Sequence, residues 1–525
     1  MQEYKTYATV NELPLEESKN KLVKLIPDQN ITIIPEYTLE SGVTLTNIPI
    51  AWKTWGKLND KADNCMVICH ALTGSADVED WWGPLMGPRR AFDYTKFFIV
   101  CCNVLGSPYG SASPLTINPE TGDVYGPEFP LVSVRDDVAL HRLILDHLGV
   151  KQIAVCVGGS MGGMQVLEWA QMGQDYVRTI VPIATSGRHS AWGISWGEAQ
   201  RQSIYSDPNY ADGYYTDENP PNVGLSAARM SALLTYRSRN SFESRFGRKA
   251  AEMKPTSRPH SPREANRLIH NDGHRATSPP ESAEKENAKG PTINNPTMPT
   301  PFVFSAQSYL RYQGTKFINR FDANCYIALT RKMDSHDLSR GRGDYFDILA
   351  SIAQPALVIG IESDGLFTIS EQYELAEGMA DTEMIVIDSP DGHDGFLLEF
   401  DQINRHLLNF IKRVVPEIYS SSTITDEELE QGEVVKATKT SLFGEAEVDI
   451  TQCNMALRKI KKASAIFNHL LSAGIETVSQ YKKALIIMYD YQFEHQAILW
   501  ASPKKTKELL DLIKKYNHDL VYDQV

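Results

Sequence analysis

Ile153-Ala154-Val155-Cys156-Val157-Gly158-Gly159-Ser160-Met161-Gly162-Gly163-Met164 runs an apolar strand straight into a G-x-S-x-G turn and on into a helical pattern carried by Leu167, Trp169 and Ala170. Strand, sharp turn bearing a serine, helix: in that order they form a nucleophile elbow. Gly158 and Gly162 are needed because side chains there would collide across the tight reversal. The dipole of the following helix favours negative charge beside Ser160. Strain in such a turn lifts the hydroxyl clear of the sheet, so Ser160 is the candidate nucleophile.

Outward from this segment, β-rich runs alternate with helical patterns from about residue 30 to 185, the signature of a mostly parallel sheet covered by helices. Strands are expected at residues 43–55, 66–69, 97–102, 153–157 and 179–184, with an apolar-period helix at 134–148. The rhythm stops at Ser186. It resumes with strands at 356–361 and 384–387 and a closing amphipathic helix at 396–414. The fold class is therefore α/β, with its core in two parts, 31–185 and 346–415, preceded by an N-terminal segment, 1–30. Helical stretches such as 197–204 and 225–237 mark 186–345 as a helical lid inserted into the sheet domain. Residues 239–301 hold nine of the 28 prolines among Ser, Asn and charged residues, too little apolar surface to offset ordering entropy, and are expected to form a disordered loop. Residues 416–452 read as an acidic, Ser/Thr-rich linker and 453–525 as a helical extension of unknown role.

A serine hydroxyl is a weak nucleophile at neutral pH and needs a histidine base whose tautomer a carboxylate fixes. In this topology they follow the serine in the order Asp, His. Asp364, in Glu362-Ser363-Asp364-Gly365-Leu366-Phe367, follows the strand at 356–361; His393, in Asp391-Gly392-His393-Asp394-Gly395-Phe396, follows the strand at 384–387. Both stand just past a strand's carboxyl end, where open α/β sheets place their sites. Acyl transfer also needs N–H donors for the developing oxyanion, each worth about 3 kcal/mol. Met161 N–H supplies one, and Leu72 N–H, in the loop His70-Ala71-Leu72-Thr73-Gly74, is the candidate for the second. His70 itself is expected to be structural.

The chain has 525 residues, so roughly 150 residues per domain leaves room for two to four domains or one large domain with insertions. With 42% hydrophobic and 22% charged residues, most of it can bury a core. The net charge of −14 argues against phosphate-backbone binding, so no nucleic-acid partner is expected. Seven Cys without a CxxC pair make no disulfide framework and suit a reducing compartment; no metal site is expected. Apolar runs fall far short of the ~18 residues of a membrane span, and neither a secretory nor a mitochondrial address is legible. Cytoplasm is the expected location.

Cys69-His70-Ala71-Leu72-Thr73-Gly74, Asn103-Val104-Leu105-Gly106, Gly159-Ser160-Met161-Gly162-Gly163-Met164-Gln165 with Glu168-Trp169, and Gly392-His393-Asp394-Gly395-Phe396-Leu397 together resemble the homoserine O-acetyltransferases. The resemblance runs from about residue 35 to 415 and, by the Pro-rich loop and residues 317–342, is most similar to the fungal branch. It implies an α/β-hydrolase fold with a helical lid and ping-pong transfer of acetyl to the hydroxyl of L-homoserine, in methionine biosynthesis. Acetyl-CoA is then a co-substrate, with no bound cofactor, and relatives commonly dimerise through lid helices. Carried over by residue, Ser160, Asp364 and His393 are the triad. Arg229, in Ala227-Ala228-Arg229-Met230, matches the residue that grips the acceptor's carboxylate, and Asp394 the partner of its ammonium. A guanidinium fork suits a carboxylate. Thr368 stands where bacterial relatives often carry proline, and the stretch from Cys453 has no counterpart. L-Serine differs from homoserine by one methylene, worth about 1–3 kcal/mol, so a serine O-acetyltransferase stays open beside the leading reading, and a carboxylesterase with water as acceptor is a third.

Overall fold

The computed structural model describes residues 4–8, 20–249, 261–273 and 304–424. The helical extension expected at 453–525 and most of the expected linker lie outside the described residues.

Among the described residues, nine strands form one sheet: β1 (Lys5–Tyr7), β2 (Asn30–Thr38), β3 (Thr44–Trp55), β4 (Cys65–Cys69), β5 (Phe98–Cys102), β6 (Ile153–Gly159), β7 (Ile180–Ile183), β8 (Ala356–Ile361) and β9 (Thr382–Ile387). Their spatial order is β1-β2-β3-β5-β4-β6-β7-β8-β9. The pairings β1–β2, β2–β3 and β3–β5 are antiparallel, and from β5 to β9 all are parallel. Every expected strand is present within a residue or two. β1 and β2 are additions, so the segment before residue 31 joins the sheet. Pro35 in β2 and Pro49 in β3 obscure the strand signal but are tolerated on the antiparallel outer strands.

The central strands are buried on both faces, which is why they read as unbroken apolar runs. In β4, Cys65, Val67 and Cys69 enter the core on one face while Met66 and Ile68 enter that on the other, following the period-two pleat. The elements that cover the sheet and build the lid are, in chain order, α1 (Val78–Trp82), α2 (Val134–His147), α3 (Met161–Ala170), α4 (Ala191–Tyr205), α5 (Asn222–Tyr236), α6 (Arg239–Arg245), α7 (Pro262–His270), α8 (Ser305–Ile318), α9 (Ala323–Asp334), α10 (Tyr345–Ala350), α11 (Ile369–Gly378), α12 (Gly395–Leu398), α13 (Phe400–Val414) and α14 (Pro416–Tyr419). α2 starts where Ser133 and Asp136 close a reciprocal capping box. α13 buries Ile403, Leu407, Phe410 and Ile411, spaced to share one face.

Three expectations need correction. The single helix at 396–414 is two, α12 and α13, broken at Glu399 (φ −85°, ψ 51°); the break lets Phe396 pack under the elbow while the α13 stripe faces the sheet. The stretch 239–301 is not wholly a disordered loop: α6 and α7 lie inside it, capped by the Ser238 and Ser261 side chains. Phe242 of α6 and Phe246, the residue that follows it, pack with Tyr309 of α8, supplying apolar contacts that the Pro-rich composition concealed. Finally, packing does not stop at residue 415, because Ile418 of α14 is buried in the sheet's second core and Thr423 N–H donates to Thr95 O at 2.8 Å.

A third apolar cluster joins lid to core: Ile204, Leu225, Leu233, Phe317, Tyr326 and Leu329 pack with Met161, Met164, Val104 and Tyr109. A fully buried ion pair crosses the same seam. Lys332 Nζ of α9 lies 2.5 Å from Asp137 Oδ2 of α2 and donates to Leu105 O at 2.7 Å, while Leu105 N–H donates to Asp137 Oδ1 at 2.8 Å. Burial pushes the Asp137 carboxyl up and the Lys332 ammonium down, and their mutual attraction opposes both.

Candidate active site

Ser160 sits between β6 and α3 at φ 59°, ψ −125°, a left-handed conformation that costs an L-residue of order 1–3 kcal/mol. Its surroundings impose that conformation. Ser160 N–H donates to Ile183 O at 2.9 Å, and Ser160 O accepts from Thr185 Oγ1 at 2.8 Å. A Cβ on Gly158 would lie 2.6 Å from Gly162 O, and one on Gly162 would lie 2.1 Å from Cys69 O, so both glycines are sterically required.

His393 follows β9, and its Nδ1 lies 2.7 Å from Asp364 Oδ2, just past β8. Asp364 Oδ1 accepts from the Leu366 and Phe367 N–H groups at 2.8 and 3.0 Å, so both carboxylate oxygens are committed. An ionised carboxylate only accepts, which puts the proton on Nδ1 and leaves Nε2 as the basic nitrogen. Phe367 and Phe396 bracket the imidazole, each with ring centroids 5.2 Å away, and hold its plane.

Ser160, Leu72, His393 and Asp394 line one cavity that opens to solvent. Trp196, Gln200, Tyr236, Thr330 and Met333 of the lid form its other wall. Met161 opens α3 and is buried next to Ser160; as a first helical residue its N–H has no acceptor within the helix. The loop that carries Leu72 is tied to the chain after β5 through His70. Val104 N–H donates to His70 Nε2 at 3.1 Å, so the other ring nitrogen carries the proton and donates to Ala71 O at 2.8 Å. Burial draws the His70 pKa down to about 4, and both of its ring nitrogens are engaged by the backbone.

Arg229 is buried on α5, its guanidinium 4.7 Å from the Phe317 ring and 5.8 Å from that of Tyr236. It is not among the residues that line the cavity, whereas Asp394 is. Two neighbours escaped the sequence reading. Arg237, at the end of α5, pairs with Asp394, and His189, which lines the cavity, is drawn down to about 4 by burial and is neutral at physiological pH. Only the Thr235-Tyr236-Arg237 run after a helical pattern hinted at Arg237, and no spacing connects it to residue 394. Among the described residues no cluster of metal-ligating side chains occurs.

A serine on a strand-to-helix elbow, a carboxylate-held histidine and helices inserted into a mostly parallel sheet define the class as the α/β-hydrolase fold. The family model for the alpha/beta hydrolase fold matches residues 64–400. Within that class the chain belongs to the homoserine O-acetyltransferase family: it is 56% identical to the homoserine O-acetyltransferase of Emericella nidulans, covering 83% of this chain and 96% of that protein. It is 54% identical to that of Saccharomyces cerevisiae, covering 84% and 97%. Among solved structures, the homoserine O-acetyltransferase from Bacillus anthracis shares the fold with a TM-score of 0.61 at 20% identity, over 73% of this chain and 97% of that one. An esterase does so with a TM-score of 0.60 at 22% identity, over 73% and 99%.

Proposed function

We propose that this chain transfers acetyl from acetyl-CoA to the hydroxyl of L-homoserine through an acetyl-Ser160 intermediate, a step of methionine biosynthesis. One observation carries the reading: the elbow serine and the Asp364-held imidazole line a single lid-covered cavity. His393 Nε2 takes the Ser160 proton as Oγ attacks the thioester carbonyl. The oxyanion rests on the Leu72 and Met161 N–H groups, and the proton passes to the departing thiolate of CoA. In the second half, His393 takes the acceptor's hydroxyl proton, the alkoxide attacks acetyl-Ser160, and the proton returns to Ser160 as the O-acetyl ester leaves.

Arg229 is read as the cation for the acceptor's carboxylate and Asp394 as the anion for its ammonium. The position of both at α5 and the loop beside it supports α5 as the acceptor-binding element. Hydrolysis uses the same residues, so the lid must favour the alcohol over water by raising its effective concentration. No resident cofactor takes part. Cytoplasmic location and a homodimer through the lid belong to the same reading; Trp192, Leu234 and Tyr312 are exposed on α4, α5 and α8. Sedimentation of the purified protein tests the dimer, and imaging of the tagged chain tests the compartment. Among the described residues no helix is long and apolar enough to cross a membrane.

Acetyl-CoA is added with no acceptor, with homoserine or with serine, while free thiol and O-acetyl product are followed. The expected result is one equivalent of thiol and an acetylated Ser160 without acceptor, then turnover with homoserine. Sustained thiol release into water alone would favour the esterase reading, and a higher kcat/KM for serine than for homoserine would favour the serine reading.

A further inference from the structure

Asp394 shares its carboxylate with a cation already in the protein. Arg237 Nε lies 2.6 Å from Asp394 Oδ2, and the same guanidinium reaches Asp391 Oδ1 through Nη1 at 2.9 Å. Taken as a pair, Asp394 and Arg237 are neutral, and a guanidinium at contact distance repels any second cation brought to that carboxylate. Asp391 changes the balance, because the three side chains together sum to −1. The arrangement is held firmly. Ser241 Oγ of α6 donates to Asp391 Oδ1 at 2.6 Å, and Asp391 N–H donates to Ser389 Oγ at 3.2 Å. Between the two carboxylates Gly392 adopts φ +69°, where a Cβ would lie 2.6 Å from Ser238 N, so the loop that carries His393 lies flush against the end of α5.

We propose that Asp391 is a specificity-determining residue for the acceptor: acting through Arg237, it keeps Asp394 able to receive an ammonium and so selects amino-acid alcohols over the same alcohols without the amino group. The proposal rests on the reading that Asp394 meets the acceptor's ammonium. Asp391 is not among the residues that line the cavity, and its side chain is about a quarter exposed, so it acts as a positioning charge rather than by contact.

The test compares kcat/KM for homoserine with that for its deamino analogue, γ-hydroxybutyrate. Asp391→Asn keeps the shape and an acceptor for Ser241 and Arg237 while removing the charge. The homoserine preference is expected to fall about fivefold, the size of one unit charge acting over roughly 8 Å in a partly solvated site. Asp391→Glu should restore most of it. Should the Asn variant fail to fold, Asp391→Ser, a second neutral replacement, is read the same way. A preference that stays within twofold of wild type overturns the proposal. So does an equal loss with both acceptors and in acetylation of Ser160, unrescued by Glu, because that marks a packing role. Asp394→Asn separates the two levels. An unchanged preference there sinks the ammonium reading itself, whereas a collapsed preference there with none lost in Asp391→Asn sinks only the role of Asp391.

Discussion

Ser160 is the residue on which chemistry and strain meet. It is held at positive φ at the turn from β6 into α3 by hydrogen bonds to Ile183 O and from Thr185 Oγ1, and it lines the cavity. Ser160→Ala is expected to abolish the acetyl-enzyme seen by intact-protein mass and to lower kcat by about 10⁴-fold or more, leaving the melting temperature within a few degrees of wild type. Gly162→Ala should behave in the opposite way. Its new Cβ would meet Cys69 O at 2.1 Å, a backbone atom with no flexible end to yield, so a loss of about 3 kcal/mol in denaturant unfolding is expected. An alanine variant as stable as wild type would show that the reversal is looser than its geometry.

Helix α9 illustrates how one element ties the inserted lid to the sheet. Its Lys332 ends against Asp137 of α2 and Leu105 O, entirely out of water. Removing one partner strands the other charge, so Lys332→Met is expected to destabilise by about 3–5 kcal/mol in urea unfolding. Adding Asp137→Asn should recover part of that loss; a double variant no better than the single would show that the cost comes from packing around the lysine stem. Elements also explain what was legible. α2, α13 and the parallel strands carry their periods openly in sequence. α6 did not, because its stability comes from Tyr309, more than sixty positions away, and from Ser238 as cap.

At the scale of the whole molecule, three buried histidines and the half-buried His189 set the response to acid. Burial draws His70, His189 and His336 down to about 4 and His141 to about 3, from an ordinary 6.5. All four are neutral in the folded protein where the unfolded chain is already protonated. Stability should therefore fall as pH drops from about 6.5 towards 4, each group contributing up to ~1.4 kcal/mol per pH unit. Asp137, shifted upward by burial, works in the opposite sense between its ordinary 3.8 and about 6 and, as one group against four, offsets only part of this. Urea midpoints measured between pH 7 and 4 check the slope, and a flat profile would mean that these imidazoles reach water.

Read from the chain alone, the α/β class was determined, and Ser160, Asp364 and His393 stood out as candidates, because each rests on local order: an apolar run, then a turn residue, then a helical period. The same local logic placed His393 after one strand and Asp364 after its neighbour. Only the tertiary structure decided that Arg237 sits between Asp391 and Asp394 and that Lys332 is buried against Asp137. Those pairings join segments up to about two hundred residues apart. Charge attraction and packing depend on distance in space, and one-dimensional spacing carries no record of which distant side chains the folded sheet and lid bring within 3 Å.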